Sequence, residues 1–412
     1  MERLRKFERL IFYLILTVLP WQFKDVLIAY EAGGFFNEFR SISFWATDLL
    51  LILLLLLFLF RYLRQRKSLP HLPFSLLGFL PGLLGLLSLF WTKELLLTLS
   101  FSLHFLLAGF LFFYLVGEIG HWKEMVGPLL AGILIQLVVG LIQFVSGHSA
   151  GLFFLDESHL DASSKENVVV DFLGIRRLRA YGLTSHPNLL GAWAVFSTFL
   201  LALSRPPWSF LAIILGILLA LLTFSKTALL MLAVALVAFG LGGRKRAGIW
   251  GVALVVFLLT LWPGWQSRFN FSLAKEQRSI EERVSGSYEA LGIIKESLPW
   301  GVGGGSYVAH LSQIKPGGAP WDYQPVHNLF LLSTAELGVF GMLWWFLLIG
   351  AGAFLAWRSK CSLLAWVWGI LVLIPALSDH FFWSMQEGRL LLMLVLGVAF
   401  SWLLKREYVK IT

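Results

Sequence analysis

Charge is what this sequence has least of. Only 14% of its 412 residues are Asp, Glu, Lys or Arg, while 58% are hydrophobic; ordinary soluble domains carry about 25% charged residues. So little charge cannot cover a water-facing surface of this size, which excludes a soluble enzyme. Cysteine is nearly absent as well. Cys361 alone excludes an intramolecular disulfide framework and any Cys-based metal site. No His-x-x-x-His or Glu-x-x-His pair falls on a predicted helix, so neither a metal nor another cofactor is expected. The glycine-rich stretch Gly301-Val302-Gly303-Gly304-Gly305-Ser306-Tyr307 lacks the Gly-Lys-Ser/Thr ending of a nucleotide P-loop, and each glycine alone reads as part of a flexible turn. The net charge of +9 alternates with apolar runs instead of clustering on one face, so no nucleic-acid partner is expected.

Long apolar runs are what the sequence has in abundance. A hydrocarbon core about 30 Å thick takes about 20 helical residues. Runs at roughly 10–28, 44–60, 74–91, 96–116, 126–146, 188–203, 208–223, 227–241, 248–263, 327–356, 362–377 and 387–404 predict an all-α, polytopic membrane protein with about 12 transmembrane helices. The first run follows Arg3, Arg5, Lys6 and Arg9 and lacks a small-residue cleavage site, so it reads as an uncleaved helix. Cytoplasmic loops carry the excess of Lys and Arg. With the amino terminus inside, the inner loops hold Arg61, Arg64, Arg66, Lys67, Arg244, Lys245, Arg246, Arg358, Lys360, Lys405, Arg406 and Lys410. The short outer loops hold little beyond Arg40, Lys93, Lys226 and Arg389. Both termini are then cytoplasmic. The expected organisation is amino-terminal helices over 1–146, a first outer loop at 147–187, central helices over 188–263, a large outer loop at 264–326 and carboxy-terminal helices over 327–412.

The two outer segments are too long to be plain connectors, and loops of that length are usually functional or disordered. The first carries Arg176, Arg177 and Arg179, then His186-Pro187-Asn188 at a predicted helix start. Ser185 or His186 is near the cap, and the unpaired N–H groups of the first turn suit an anion. A charged loop touching lipid phosphates is the competing reading. In the second segment, Val284, Tyr288, Leu291, Ile294 and Leu298 follow helical spacing, which predicts an amphipathic helix at the membrane surface. His327 and Asn328 stand at the mouth of the next membrane helix, with Glu336 roughly two turns further in. An ionisable group at that depth is a functional candidate; a structural hydrogen bond is the alternative for Glu336. His104, deep in a helix, reads as a packing residue. His71, His121, His148, His159, His310 and His380 lie in or near loops without a matching constellation.

Taken in order, these features resemble the O-antigen ligase family of lipid-linked glycan transferases, which also includes O-antigen polymerases. The resemblance rests on the Arg-rich approach to His186-Pro187-Asn188, the step Ser225-Lys226, Arg283, the run Pro299-Trp300-Gly301-Val302-Gly303-Gly304-Gly305-Ser306-Tyr307, and His327-Asn328 leading to Glu336-Leu337-Gly338. It covers about 170–345. The family commonly has Ser-Arg where this chain has Ser225-Lys226, and lysine loses the two-pronged donor geometry of arginine.

The resemblance implies a GT-C-like membrane glycosyltransferase of the bacterial inner membrane, working at the periplasmic face without a metal. Its donor would be a glycan on undecaprenyl pyrophosphate and its acceptor a sugar of the lipid A core. Physical chemistry asks for cations where charge grows on the departing phosphate, and bidentate arginine bonds suit that task. Arg179 and Arg283 are the expected phosphate ligands, with Arg176, Arg177, Arg278 and Lys226 in support. A histidine, ordinarily of pKa about 6.5, can take the acceptor proton. His327 is expected in that role, with Asn328 or Glu336 positioning it or the glycan; His186 is the reserve base, and Asn188 is expected to bind substrate. Single displacement would invert the anomeric centre. The alternatives are a polymerase of the same superfamily, glycosylation of a protein acceptor, a transporter, and a noncatalytic assembly partner.

Overall fold

The structure, a computed structural model, describes residues 2–65, 72–119, 122–164, 167–204, 209–241, 247–359 and 362–405. Arg66, Lys67, His71, His121, Arg244, Lys245, Arg246, Lys360, Cys361, Arg406 and Lys410 lie outside the described residues.

A backbone in contact with lipid must satisfy its own N–H and C=O groups, so the apolar runs coil. In chain order the elements are α1 (Glu2–Val18), β1 (Lys24–Ile28), β2 (Glu31–Ala32), β3 (Phe35–Phe36), β4 (Ile42–Trp45), α2 (Ala46–Gln65), α3 (Leu72–Ser75), α4 (Leu80–Ser88), α5 (Leu95–Glu118), α6 (Val126–Ser146), β5 (Val169–Phe172), β6 (Ile175–Leu178), α7 (Pro187–Ser204), α8 (Ser209–Leu222), α9 (Lys226–Leu241), α10 (Ala247–Thr260), α11 (Trp262–Phe269), α12 (Ala274–Ser297), α13 (Tyr307–Ile314), α14 (Leu329–Ser359), α15 (Ser362–Ser378), α16 (Phe381–Ser384) and α17 (Gln386–Lys405).

Among the described residues, six helices are long and apolar enough to cross a membrane: α2, α5, the helix ending at Ser146, α7, α14 and α17. The pair α10 and α11, bent by 78°, adds a seventh if it is one span. Shorter apolar helices cover Phe210–Leu222, Lys226–Gly240 and Gly369–Ser378. The chain is therefore helical and membrane-like, as composition requires. Two of the amino-terminal runs also differ from expectation in secondary structure. The first leaves helix at Val18, and its end becomes β1, paired antiparallel with β4 through Lys24↔Trp45 and Val26↔Ser43. The third is broken, with a short 3₁₀ turn separating α3 from α4.

The chain divides into two compact units. The first comprises Met1–Ile11, Lys24–Gly120 and Glu281–Thr412; in it α17 and α4 both pack on α5. Arg61 belongs to this unit as a structural cation, not a loop charge. It lies inside α2, is buried, and pairs with Glu8 at 2.7 Å and Glu118 at 2.9 Å. Burying Arg61 with Glu8 is tolerable because the two charges face each other, with the part-exposed Glu118 beside them.

The second unit comprises Phe12–Phe23 and His121–Ile280. Here α7 packs on α8, and α6 on α8. The strands β5 and β6 form a hairpin, pairing Val170↔Arg177 and Asp171↔Arg176. Its inner residues Val169 and Leu178 pack with Leu160 and Tyr181. Alternation puts Arg176 on the same face as Leu178, but two residues nearer the turn, where its side chain is exposed.

The predicted amphipathic helix is present as α12. Of its apolar stripe, Val284 is 51% exposed, Tyr288 72% and Leu291 50%, whereas Ala290 and Ile293 are buried. Helical spacing thus located the helix, and the stripe that revealed it faces away from the protein. That arrangement suits a helix lying on a bilayer surface.

Candidate functional site

In the first unit, α14 begins where it does because Asn328 caps it. The Asn328 Oδ1 accepts the N–H groups of Phe330 at 3.0 Å and Leu331 at 3.1 Å, which satisfies two of the helix's orphan donors. The cap holds His327 just ahead of the helix. Facing it is the short link between α15 and α16. Asp379 Oδ1 lies 3.6 Å from His327 Nδ1, and the His327 and His380 rings are 4.9 Å apart. Asp379 and His380 are buried, while the His327 side chain keeps 25% of its surface exposed. Its Nδ1 is buried without a hydrogen-bond partner.

Arg283 reaches the same link from α12, donating through Nη1 to Ser378 O at 2.7 Å. Ser378 is the residue before Asp379. One unit therefore brings together a quarter-exposed imidazole, a buried carboxylate behind it, and a guanidinium one residue away. His380 N–H donates to Asp379 Oδ1 at 2.8 Å, and His380 Nδ1 shares a 2.7 Å hydrogen bond with Ser384 Oγ. These bonds fix the orientation of the carboxylate and of the second ring.

His327, Asp379 and His380 also form the one group among the described residues with three close metal-type ligand atoms, all within 4.8 Å of one another. Sequence spacing gave no hint of it, because the three come from two segments about fifty residues apart. Ligand atoms about 2.0–2.1 Å from a tetrahedral ion sit about 3.4 Å apart. The cluster would have to tighten to hold one.

Glu336 lies two turns into α14, buried in this unit. Its carboxylate accepts from Gly305 N–H at 2.9 Å, Tyr307 N–H at 3.2 Å and Trp383 Nε1 at 2.7 Å. The glycine-rich stretch is accordingly not a flexible turn. Val302 N–H and Gly303 N–H donate to Ala335 O and Glu336 O, both at 2.9 Å. The stretch seats against a break in α14, where Gly338 adopts φ 62 and ψ −144. A Cβ on Gly338 would stand 1.9 Å from Pro299 O, and one on Gly301 would stand 2.4 Å from Glu336 O. Close backbone approach is what these two glycines provide.

The second unit holds the other candidates. Arg179 is 2% exposed. It donates through Nε to Thr223 O at 2.5 Å and through Nη2 to Asn188 Oδ1 at 2.7 Å, tying the end of α8 to the start of α7. His186 caps α7, since Asn188 N–H donates to its Nδ1 at 3.1 Å. Arg176 and Arg177 bond the carbonyls of Ser164 and Val145. Lys226 pairs with Glu276 at 2.8 Å and lies 4.4 Å from the centre of the Phe271 ring; Arg268 pairs with the same carboxylate. Arg278 is exposed on α12. Replacing Arg179 by Lys leaves one of two buried acceptors unpaired. At about 1–3 kcal/mol for such a group, Arg179→Lys is expected to lower the unfolding temperature in detergent, while Arg176→Lys leaves it unchanged.

Sequence reading missed Asp379 and set His380 aside as a loop histidine without a constellation. The available sign was the polar run Ser378-Asp379-His380 followed by Gln386-Glu387-Gly388-Arg389, an unusual density of ionisable groups between two apolar runs. Arg389 is likewise no loop charge: it is buried in the first turn of α17, over the rings of Phe101 and Phe105.

Residues 211–346 match the family described as O-Antigen ligase. No curated protein matches the chain. The matched stretch includes Lys226, Arg283, the glycine-rich stretch, His327 and Glu336.

Proposed function

We propose that this chain, which the match over residues 211–346 assigns to the O-antigen ligase superfamily, transfers a glycan from undecaprenyl pyrophosphate to a sugar of the lipid A core, at the periplasmic face of the bacterial inner membrane. Ligase-type or polymerase-type chemistry follows from the family; donor, acceptor and mechanism are the proposal. The observation that carries it is the meeting of His327, Asp379 and Arg283 in one unit.

In the proposed step an acceptor hydroxyl attacks the anomeric carbon of the donor. The new C–O bond forms as the bond to the phosphate oxygen breaks, and the electron pair leaves with the pyrophosphate. His327 Nε2 takes the hydroxyl proton, with Nδ1–H turned toward Asp379. A carboxylate in that place holds the ring in the required tautomer and stabilises the imidazolium that forms. The 3.6 Å separation is longer than a hydrogen bond, as catalytic contacts often are before substrate binds. Arg283 supplies positive charge at the departing phosphate. Arg176, Arg177, Arg179, Arg278 and Lys226 are proposed donor-binding groups, each tested by its own substitution. Attack from the face opposite the leaving group inverts the anomeric centre.

The proposed chemistry uses no metal. Purified protein given lipid-linked donor and lipid A core is expected to form modified lipopolysaccharide at the same rate with and without EDTA. Loss of activity restored by a divalent ion would make His327, Asp379 and His380 metal ligands instead. The same assay separates the two family activities: chains that lengthen on donor alone identify a polymerase.

A further inference from the structure

The 3.6 Å between His327 Nδ1 and Asp379 Oδ1 is too long for a hydrogen bond. It is close to the spacing of about 3.4 Å between two ligand atoms of one tetrahedral ion. His380 completes the group, each of the three residues placing one ligand atom within 4.8 Å of the others. We infer that His327, Asp379 and His380 form a zinc site, and that an ion bound there blocks glycan transfer. The blocking role rests on the transferase reading above and adds a means of regulating its site; the binding of zinc does not depend on that reading.

Three observations carry it. First, His327 Nδ1 is buried and has no hydrogen-bond partner. Buried polar atoms are rarely left so, and an ion between this nitrogen and the Asp379 carboxylate satisfies both. Second, two of the three ligands are held in place by the protein itself. Asp379 and His380 are buried, His380 N–H donates to Asp379 Oδ1 at 2.8 Å, and His380 Nδ1 shares a 2.7 Å hydrogen bond with Ser384 Oγ. His327, a quarter exposed and ahead of α14, is the ring that adjusts as the group tightens. Third, two imidazoles and one carboxylate are ligands that suit zinc, which has no d-electron preference for geometry and accepts water as a fourth ligand. Magnesium prefers oxygen ligands in near-ideal octahedra. Asp379 brings one negative charge, and Arg283, bonded to Ser378 O, opposes the charge of the ion. The site is therefore expected to exchange zinc and not to hold it as a structural ion.

Coordination acts on the proposed base through its tautomer. The transfer step needs a lone pair on His327 Nε2 and keeps the ring proton on Nδ1, toward Asp379. An ion on Nδ1 takes the lone pair of that nitrogen, so the ring proton passes through solvent to Nε2, with none gained or lost overall. Nε2 can then donate but not accept. Asp379, bound to the ion, also ceases to stabilise an imidazolium. Transfer stops until zinc leaves.

The test uses full-length protein in nanodiscs, stripped of metal with EDTA and then dialysed free of it. Zinc chloride and magnesium chloride are the probes, read by calorimetry without substrate and by the rate of glycan transfer. Wild-type protein is expected to bind zinc and lose transfer over the same zinc concentrations, to recover when EDTA is added, and to ignore magnesium. Losing a group that only braces a ligand weakens metal binding by about 10–100-fold. His380→Ala and Asp379→Asn each lose a ligand and are expected to weaken zinc binding by at least about 10-fold; either serves if the other fails to fold. His148→Ala removes an exposed histidine of the second unit, 3.9 Å from Asp161, and is expected to leave zinc binding unchanged. No zinc binding by wild-type protein, or unaltered affinity in the ligand variants, overturns the inference. Undiminished transfer with zinc bound, or transfer that requires zinc, overturns it as well. Absence of transfer by metal-stripped wild-type protein overturns the transferase reading instead, and the calorimetry alone then decides the zinc site.

Discussion

Replacing His327 by alanine is expected to reduce glycan transfer by about 10²–10⁴-fold, the range general-base catalysis contributes, while leaving the protein folded. The second half of that statement follows from where the side chain sits. His327 is a quarter exposed and precedes α14, whose start is secured by Asn328, not by the imidazole. Removing the ring deletes chemistry and little packing. Asp379→Asn is expected to lose part of the same factor, because an amide can no longer stabilise the imidazolium. The loss in both variants falls mainly on kcat, since the interaction matters in the transition state more than in the bound complex. Arg283→Ala is expected to lower kcat as well, whereas Arg283→Lys keeps charge but not the fork and recovers only part of the rate. Steady-state kinetics on purified variants, each with a thermal unfolding curve, checks all four. Wild-type rates in folded His327→Ala protein would remove His327 from the mechanism.

Glu336→Ala is expected to abolish the folded state or come close to it. Three donors, the part-buried Gly305 N–H, the buried Tyr307 N–H and the buried Trp383 indole, converge on this carboxylate. Orphaning each costs about 1–3 kcal/mol, so the loss is on the order of 3–9 kcal/mol, against a total stability of about 5–15 kcal/mol for a typical protein. Water is poorly placed to rescue these groups, because Glu336 and Tyr307 are both buried. Glu336→Gln retains one acceptor oxygen and is expected to fall between alanine and wild type. Folded yield and unfolding temperature in detergent provide the measurement. If Glu336→Ala unfolds at the wild-type temperature but loses transfer, the carboxylate belongs to the substrate and not to the fold.

These two residues show what the sequence could and could not reveal. His327 and Glu336 both drew attention as polar groups at a membrane helix, one at its mouth and one inside. Their different jobs depend on partners remote in the chain: Asp379 for the first, and Gly305, Tyr307 and Trp383 for the second. No local pattern encodes such pairings. The glycine-rich stretch was visible but ambiguous, because a flexible turn and a backbone pressed against a helix break both call for glycine. Most of the helices were legible, since apolar runs of sufficient length leave the backbone few other options, but which of them are long enough to span was not. The small hairpins were not. β1 lies inside a stretch whose apolarity resembled the end of a helix, and only its pairing with β4 makes it a strand. Basic residues were read by position alone, which misjudged Arg61 and Arg389. Each is buried among partners chosen by tertiary packing.

The central claim is that this chain by itself makes a glycosidic bond, using His327. Purified protein reconstituted with undecaprenyl-pyrophosphate-linked glycan and lipid A core, and followed by mass spectrometry through a single turnover, tests it most directly. The account predicts one glycan added to the core sugar for each undecaprenyl pyrophosphate released, and neither product at a comparable rate with His327→Ala. Absence of a new glycosidic bond with wild-type protein, or equal yield from the His327→Ala variant, would contradict it.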